Sequence, residues 1–248
     1  MSTPASVPQV HPSLVESPTT AAGAKGYLSV IIPVYNESRW ITTVLEMVKQ
    51  VPMPKEIIVV DDGSTDGTRE TLLGLPDDSQ VRVILHDRNR GKGAAIRTGV
   101  RHALGEYIII QDSDLEYDPN DYAALLEPLK SGRANVVYGV RPDRPQRGLF
   151  FFLGAKFLTW LTNFLYGCNI RDEATGYKVF RASLLKRIPL KGNRFEFCPE
   201  VTAKVCRMGE AIHEVPISYD PRPKGAGKKI RWNDGMSAIW TLLWYRFF

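Results

Sequence analysis

The sequence predicts an α/β fold built on a doubly wound, mostly parallel sheet. From Tyr27 onward, short apolar runs alternate with stretches of helical periodicity, the repetition that implies βαβ units. The apolar runs are continuous in Val and Ile, as in "YLSVIIPVY", "KEIIVVDD" and "EYIIIQD". Strands of that kind are covered on both faces, as parallel sheets are. The polar clusters Asn36-Glu37, Asp61-Asp62 and Asp112 to Asp118 stand at the carboxyl ends of these runs, where open α/β sheets bind ligands.

Residues 1–26 are rich in Ser, Thr, Pro, Ala and Gly and read as a disordered tail without the apolar core of a signal peptide. Residues 27–248 read as one domain. Its first half, 27–141, runs strand 27–35, helix 38–50, strand 55–62, helix 66–74, strand 81–86, helix 91–104, strand 106–112, helix 119–130 and strand 135–141. The pattern changes in 142–248. Residues 149–166, "LFFFLGAKFLTWLTNFLY", are apolar and aromatic but interrupted by Gly154 and Lys156, which suits an amphipathic or partly buried helix. Strands are expected at 175–181 and 211–219, a basic Gly/Pro loop at 220–235, and a short apolar helix at 236–248.

Composition narrows the classes. Hydrophobic content of 44% and charged content of 24% are globular values. The net charge of +5 favours anionic partners without choosing among them. There is no Arg/Lys run like a nucleic-acid arm and no zinc-finger spacing, so no nucleic-acid partner is expected. Cys168, Cys198 and Cys206 form no CxxC pair and read as thiols of a reducing compartment. No apolar run reaches about 18 residues, so no membrane span is expected.

The chemistry concentrates in a few clusters. In "YIIIQDSDLEYDP" a strand ends in Asp112, Asp114, Glu116 and Asp118. Alternate side chains of a strand share one side, so Asp112 and Asp114 can reach one ion. Hard oxygen ligands suit Mg2+ or Mn2+. EF-hand spacing fails, and a solvated acidic loop is the bland alternative. In "DDGSTDGT", Gly63 and Gly67 permit tight turns, and Ser64 or Thr65 with Asp66 can cap the next helix. Capping needs only one acidic residue, so Asp61-Asp62 leaves a carboxylate for a base N–H or a ribose hydroxyl. In "DRNRGKGAAIRTG", Gly91 and Gly93 flank Lys92 at a helix start, where backbone amides can face an anion. That stretch is not a Walker loop. The four histidines are scattered, and no GxSxG or GxGxxG is present.

In order, "PVYNE", "VVDDGSTDGT", "RNRGKGAAIRTG", "QDSDLEYDP", "YGVR", "ATGYKVFR" and "EVPISYDPRPKGAGKK" resemble the family 2 glycosyltransferases of GT-A fold, over roughly residues 28–248. More narrowly, they resemble the dolichyl- or polyprenyl-phosphate sugar synthases. The resemblance makes 27–141 the nucleotide-sugar half and 142–248 the acceptor and membrane-facing half. It implies that Pro33, Tyr35, Glu37, Val60 and Asp62 line the nucleotide pocket, to which the charge of Lys92 at the helix start is added from the residues themselves. It makes Asp112 and Asp114 the DxD metal ligands, with Ser113 against the nucleotide sugar and Glu116 near the metal. Arg141 would face the sugar phosphate or the acceptor. Arg222 and Lys228 would lie on a loop that closes over the diphosphate. Where relatives carry an arginine before the equivalent of "GAKFLT", this chain has Leu153, which leaves Arg147 and Lys156 as nearby cations for a lipid phosphate.

The reading that follows is a metal-dependent, inverting transfer of a hexose from a nucleotide sugar, of GDP-mannose or UDP-glucose type, to a polyprenyl phosphate. A phosphate acceptor is already mostly anionic at neutral pH and needs positioning. A sugar hydroxyl acceptor needs a base, for which Glu196 and Glu200 in "FEFCPE" are candidates, or else a surface pair. The alternatives are transfer to a saccharide or soluble hydroxyl, and a non-catalytic nucleotide-sugar-binding protein at a membrane. The expected location is cytoplasmic and peripheral on the cytoplasmic face of a membrane, not secreted. Phe150, Phe151, Phe152, Phe157, Trp160 and Phe164, with Arg144, Arg147 and Lys156, would meet the headgroups, as would the aromatic end of the chain. Mutual packing of these helices, or a homodimer interface, is the alternative.

Overall fold

The computed structural model describes residues 9–10, 26–142, 148–222 and 232–248. The elements are β1 (Gln9–Val10), β2 (Leu28–Val34), α1 (Ile41–Gln50), β3 (Lys55–Asp61), α2 (Thr68–Leu73), β4 (Val81–Leu85), α3 (Lys92–His102) and β5 (Tyr107–Ile110). They continue with α4 (Tyr122–Lys130), β6 (Val136–Val140), α5 (Leu149–Tyr166), β7 (Lys178–Arg181), α6 (Ala182–Leu185), α7 (Phe197–Arg207), β8 (Ile212–Pro216) and α8 (Trp232–Phe247).

One eight-stranded sheet runs in the order β1-β4-β3-β2-β5-β7-β6-β8. β4, β3, β2 and β5 are mutually parallel, and β6 pairs parallel with β8. β7 is antiparallel to both β5 and β6, and β1 is antiparallel to β4. The mostly parallel doubly wound sheet is therefore as the Val/Ile runs predict. β1 lies within the stretch whose composition reads as a disordered tail.

The sheet is covered on both faces. On one face Leu28, Val30, Ile32, Ile57 and Val59 pack against Val44, Leu45 and Val48 of α1 and Leu125 and Leu129 of α4. On the other, Ile31, Ile58, Val60 and Ile108 pack against Ala95 and Ile96 of α3 and Val201 and Val205 of α7. β2 and β3 are buried along their whole length, which is why their sequences do not alternate with polar residues.

Besides β1, the short helix α6, where no element is expected, and the start of α8 at Trp232, inside the expected 220–235 loop, two further features depart from the sequence reading. Helix α7 stands where no element is expected: Glu200 and Thr202 are buried with its apolar residues and break the apolar periodicity. Cys168 and Cys206 are joined as a disulfide, with Cα atoms 6.5 Å apart. The thiol reading is thus corrected for this pair, while Cys198 is free. The physical reason is that the chain just past α5 meets the last turn of α7, a juxtaposition that a spacing of 38 residues does not reveal.

Candidate active site

The polar clusters converge at the carboxyl ends of β2, β3 and β5. The turns after β2 and β3 are interlocked. The Asn36 amide donates to Ser64 Oγ at 2.9 Å, and the Thr65 amide donates to Asn36 Oδ1 at 2.8 Å. The Glu37 amide donates to Thr68 Oγ1 at 2.8 Å. Asn36 has φ +52, a left-handed conformation that Asn tolerates better than most residues. Asp66, just before the cap position Gly67 of α2, accepts from the amide and hydroxyl of Thr68. Burial opposes its charge, but these bonds and one from Ser38 hold its pKa down at about 2.

Asp62 is buried and organises the next loop. Its Oδ1 meets His86 Nδ1 at 2.6 Å and accepts from the Arg90 amide at 3.0 Å; its Oδ2 accepts from the Gly91 amide at 2.6 Å. His86 Nε2 lies 3.0 Å from Thr98 Oγ1, so this histidine is structural. Gly91 has φ +97, and a Cβ there would stand 2.3 Å from the Asn193 carbonyl oxygen. That loop changes the expectation for the start of α3. The Gly93 and Ala94 amides donate to the carbonyls of Arg194 and Asn193 at 3.2 and 3.0 Å. The helix N-terminus is thus capped by the chain itself, and only the Lys92 side chain is aimed at the carboxylates.

Gln111 anchors the carboxylate loop. Its Oε1 accepts from Tyr122 at 2.6 Å and Tyr177 at 2.7 Å. Asp112 then pairs with Lys92, and Asp114 Oδ2 lies 3.2 Å from Arg222. Arg222 also holds Glu37 Oε1 at 2.8 Å. Burial and the nearby charge of Asp112 push the Asp114 carboxyl up to about 6, although Arg222 and Lys92 act in the opposite direction. Burial opposes the Lys92 charge, but Asp112, with Cys198 and Asp114, raises its pKa. Ser113 is buried between the two aspartates.

These observations fit a divalent cation. A sheltered carboxylate such as Asp114, whose charged form is disfavoured beside a second carboxylate, gains from added positive charge. Two oxygen ligands plus substrate phosphates and water are a normal magnesium environment. Glu116 departs from its expected place beside the ion. Its Oε2 accepts from Tyr219 at 3.2 Å and its Oε1 from the Arg222 amide at 3.1 Å, while its carbonyl accepts from the Asp220 amide. It docks the segment after β8, and no three carboxylate, His or Cys groups converge on one ion among the described residues.

Arg141 is held by Asp172 through Nε and Nη2, both at 2.8 Å, and sits 5.3 Å from the Tyr219 ring centroid. Tyr117 joins the loops: its hydroxyl accepts from the Gly176 amide at 2.8 Å, and its ring lies 4.7 Å from Tyr177 and 5.3 Å from Tyr219. Gly176 abuts Asp112, since a Cβ there would stand 2.5 Å from Oδ2. Gln111, Tyr117, Asp172 and Gly176 escaped the sequence reading. Gln111 and Tyr117 lie inside "QDSDLEYDP" and Gly176 inside "ATGYKVFR", and of these Gly176 carried the clearest signal, because glycine permits close approach.

The remaining expected residues fall as follows. Pro33 is buried and Tyr35 half-buried at the end of β2. The Val60 side chain is fully buried with Ile31, Ile58 and Ile96, because alternation points it into the core. Glu200 is corrected on both readings. It is buried and accepts from the Lys191 and Gly192 amides, Lys204 and Tyr245 at 2.5–2.7 Å. Burial raises its pKa, but these donors outweigh that and lower it, the opposite of what a general base needs. Glu196 accepts from the Arg194 amide at 2.9 Å and opens α7. Lys156 lies over the Phe152 ring. Lys228, the rest of 223–231, Arg144 and Arg147 lie outside the described residues, as do the side chains of Phe150 and Phe151.

A doubly wound sheet with a carboxylate pair at the end of a central strand is the frame of a GT-A fold. The model of glycosyl transferase family 2 matches residues 29–189, and the chain belongs to that family. A dodecaprenyl-phosphate galacturonate synthase of Rhizobium johnstonii is 30% identical, over 81% of this chain and 61% of that protein. An undecaprenyl-phosphate mannosyltransferase of Micrococcus luteus is 28% identical, over 80% and 85%. This chain spans 61–64% of the length of three such relatives. Among solved structures, a UDP complex of glucosyl-3-phosphoglycerate synthase from Mycobacterium tuberculosis has the same fold, with a TM-score of 0.72 at 23% identity over 91% of this chain and 82% of that one. The same enzyme with Mn2+, UDP and its product gives 0.69 at 24%, over 91% and 81%.

Proposed function

We propose that the protein transfers a hexose from a nucleoside-diphosphate sugar to a polyprenyl phosphate, with Asp112 and Asp114 holding Mg2+ or Mn2+. The observation that carries this reading is the Asp112/Asp114 pair at the end of β5, facing Lys92 and Arg222, in a family 2 chain. The acceptor is suggested by relatives named for dodecaprenyl, undecaprenyl and dolichyl phosphate.

A divalent ion bound by Asp112 and Asp114 would neutralise charge on the departing nucleoside diphosphate. Lys92 and Arg222 lie against the same carboxylates and would add positive charge to the diphosphate. Arg141, oriented by Asp172, would hold the acceptor phosphate in line with the anomeric carbon. That phosphate needs no proton removed, its second pKa being about 6. The engagement of Glu200 with four donors agrees with a reaction that uses no base there.

The test is a donor panel (GDP-mannose, UDP-glucose, UDP-GlcNAc) with undecaprenyl phosphate and Mg2+ or Mn2+, followed by lipid extraction. Radiolabel is expected in the organic phase. Asp112→Asn and Asp114→Asn should each lower it by about 100-fold or more, as loss of a preorganised electrostatic group does, while melting as the native protein does. Wild-type turnover by both variants would exclude the metal assignment. Label only in a water-soluble saccharide would exclude the lipid acceptor.

A further inference from the structure

We propose that Lys92 and Arg222 serve as built-in counter-cations of the Asp112/Asp114 pair, so that a divalent ion binds tightly only when a nucleoside diphosphate draws both cations away. The inference rests on the donor and metal reading above and adds a coupling between the two ligands.

Each member of the carboxylate pair has its own cation, and the two cations come from different parts of the chain. Lys92, the first residue of α3, sits on Asp112 Oδ1. Arg222, beyond β8, sits on Asp114 Oδ2 at 3.2 Å and bridges to Glu37 at 2.8 Å. All four side chains are sheltered, between 17% and 24% exposed for Lys92, Asp112, Arg222 and Asp114. Solvent therefore screens these pairs less than it screens surface pairs.

A hard divalent ion is drawn to the same two carboxylates. To take them it must displace an ammonium and a guanidinium, and while they remain nearby it is repelled by both. A diphosphate changes this balance. It gives the guanidinium oxygens for paired hydrogen bonds and the ammonium a point of high negative charge. Arg222 can turn without its backbone leaving, because its amide is fixed to Glu116 and its neighbours Tyr219 and Asp220 are fixed to the same residue. The diphosphate that removes the cations also donates ligands to the ion, so each ligand strengthens the other to an equal degree.

Binding of Mn2+, followed by the resonance of the free ion, tests this without turnover. Full-length protein is titrated alone and with UDP or GDP, as wild type, Lys92→Met and Arg222→Met. Wild type should bind Mn2+ weakly alone and at least about tenfold more tightly with one of the nucleotides, a usual size for coupling between sites. Each variant should bind Mn2+ alone about tenfold more tightly than wild type and respond less to the nucleotide. The variants lie on different elements, so if one fails to melt cooperatively the other still decides, with Arg222→Gln as a further replacement. Variants that bind Mn2+ alone no better than wild type, while wild type retains its nucleotide response, would overturn the coupling and leave the metal reading intact. Absence of Mn2+ binding by wild type with either nucleotide would overturn both.

Discussion

Glu173 is fully buried, and its Oε2 has no hydrogen-bonding partner among the described residues. Its Oε1 has only a long contact to Thr202, at 3.4 Å. Burial raises its pKa, with Lys178 working in the opposite direction. A carboxyl whose folded pKa is raised contributes stability at low pH that is lost as pH rises through the folded value. Glu173→Gln cannot ionise and escapes that loss. The variant is expected to be more stable than wild type at pH 8, by on the order of 1 kcal/mol, the cost of an unsatisfied buried acceptor. The gain should shrink as pH falls and vanish near pH 3, below the ordinary Glu pKa of about 4.3, where the wild-type side chain is protonated in both states. Melting curves at both pH values check this, and a difference independent of pH would refute it. Residues of this kind mark the limit of the sequence. Asp112, Asp114 and Arg222 were legible because charge on a strand end or an irregular loop is itself a signal. The partners that orient them, Gln111, Tyr117 and Asp172, look like ordinary polar residues until the loops are folded together.

Among the elements, the strands and helices from β2 to β6 were legible because each carries one period and one burial pattern. The second half was less so. β7 lies between β5 and β6 and runs against both, an arrangement set by tertiary packing rather than local pattern. α7 hides behind buried polar residues, of which Glu200 binds the 191–192 loop and Tyr245 of α8. The end of α7 is then fastened to the chain just past α5 by Cys168–Cys206. Closing a loop with a sequence separation of 38 removes chain entropy worth about 4 kcal/mol on the entropic model. Reduction, or Cys168→Ser, should therefore lower the melting temperature by roughly 8–16 °C for a domain of this size. Thiol counting on the denatured protein should give one free thiol before reduction, Cys198, and three after. Three thiols before reduction, in protein purified without reductant, would show that the bond does not form.

At the scale of the whole molecule, α5 and α8 join the core to an apolar surface. They pack on each other: Tyr166 donates to the Leu242 carbonyl at 2.6 Å, and Thr162 and Leu242 are fully buried. The opposite sides are open. On α5, Leu149, Leu153, Phe157, Trp160 and Phe164 recur every three or four residues, and Trp160 is 58% exposed. On α8, Met236, Trp240, Trp244 and Phe247 do the same, and Trp240 is 64% exposed. The rings follow one another along each helix: Phe157 stacks on Trp160 and Trp160 on Phe164, while Trp240 meets Trp244 at a 37° tilt and Trp244 stacks on Phe248. So much apolar surface is unusual for a monomer that meets only water. No helix among the described residues is long and apolar enough to cross a bilayer. The net charge of +5 favours anionic lipid. The expected outcome is that the protein floats with vesicles containing phosphatidylglycerol and that raised salt weakens the association. Trp160→Ser and Trp240→Ser together should reduce bound protein by about tenfold or more, since each buried aromatic side chain contributes on the order of 1–2 kcal/mol. The same pair of substitutions should leave turnover with a short-chain, water-soluble prenyl phosphate near wild type, because the ring neighbours of Trp160 are Phe157 and Phe164 and that of Trp240 is Trp244, not Asp112, Asp114 or their cations. If the protein does not float at any lipid composition and instead sediments as a dimer that the two substitutions dissociate, the aromatic faces bind a second copy of the chain and not a membrane.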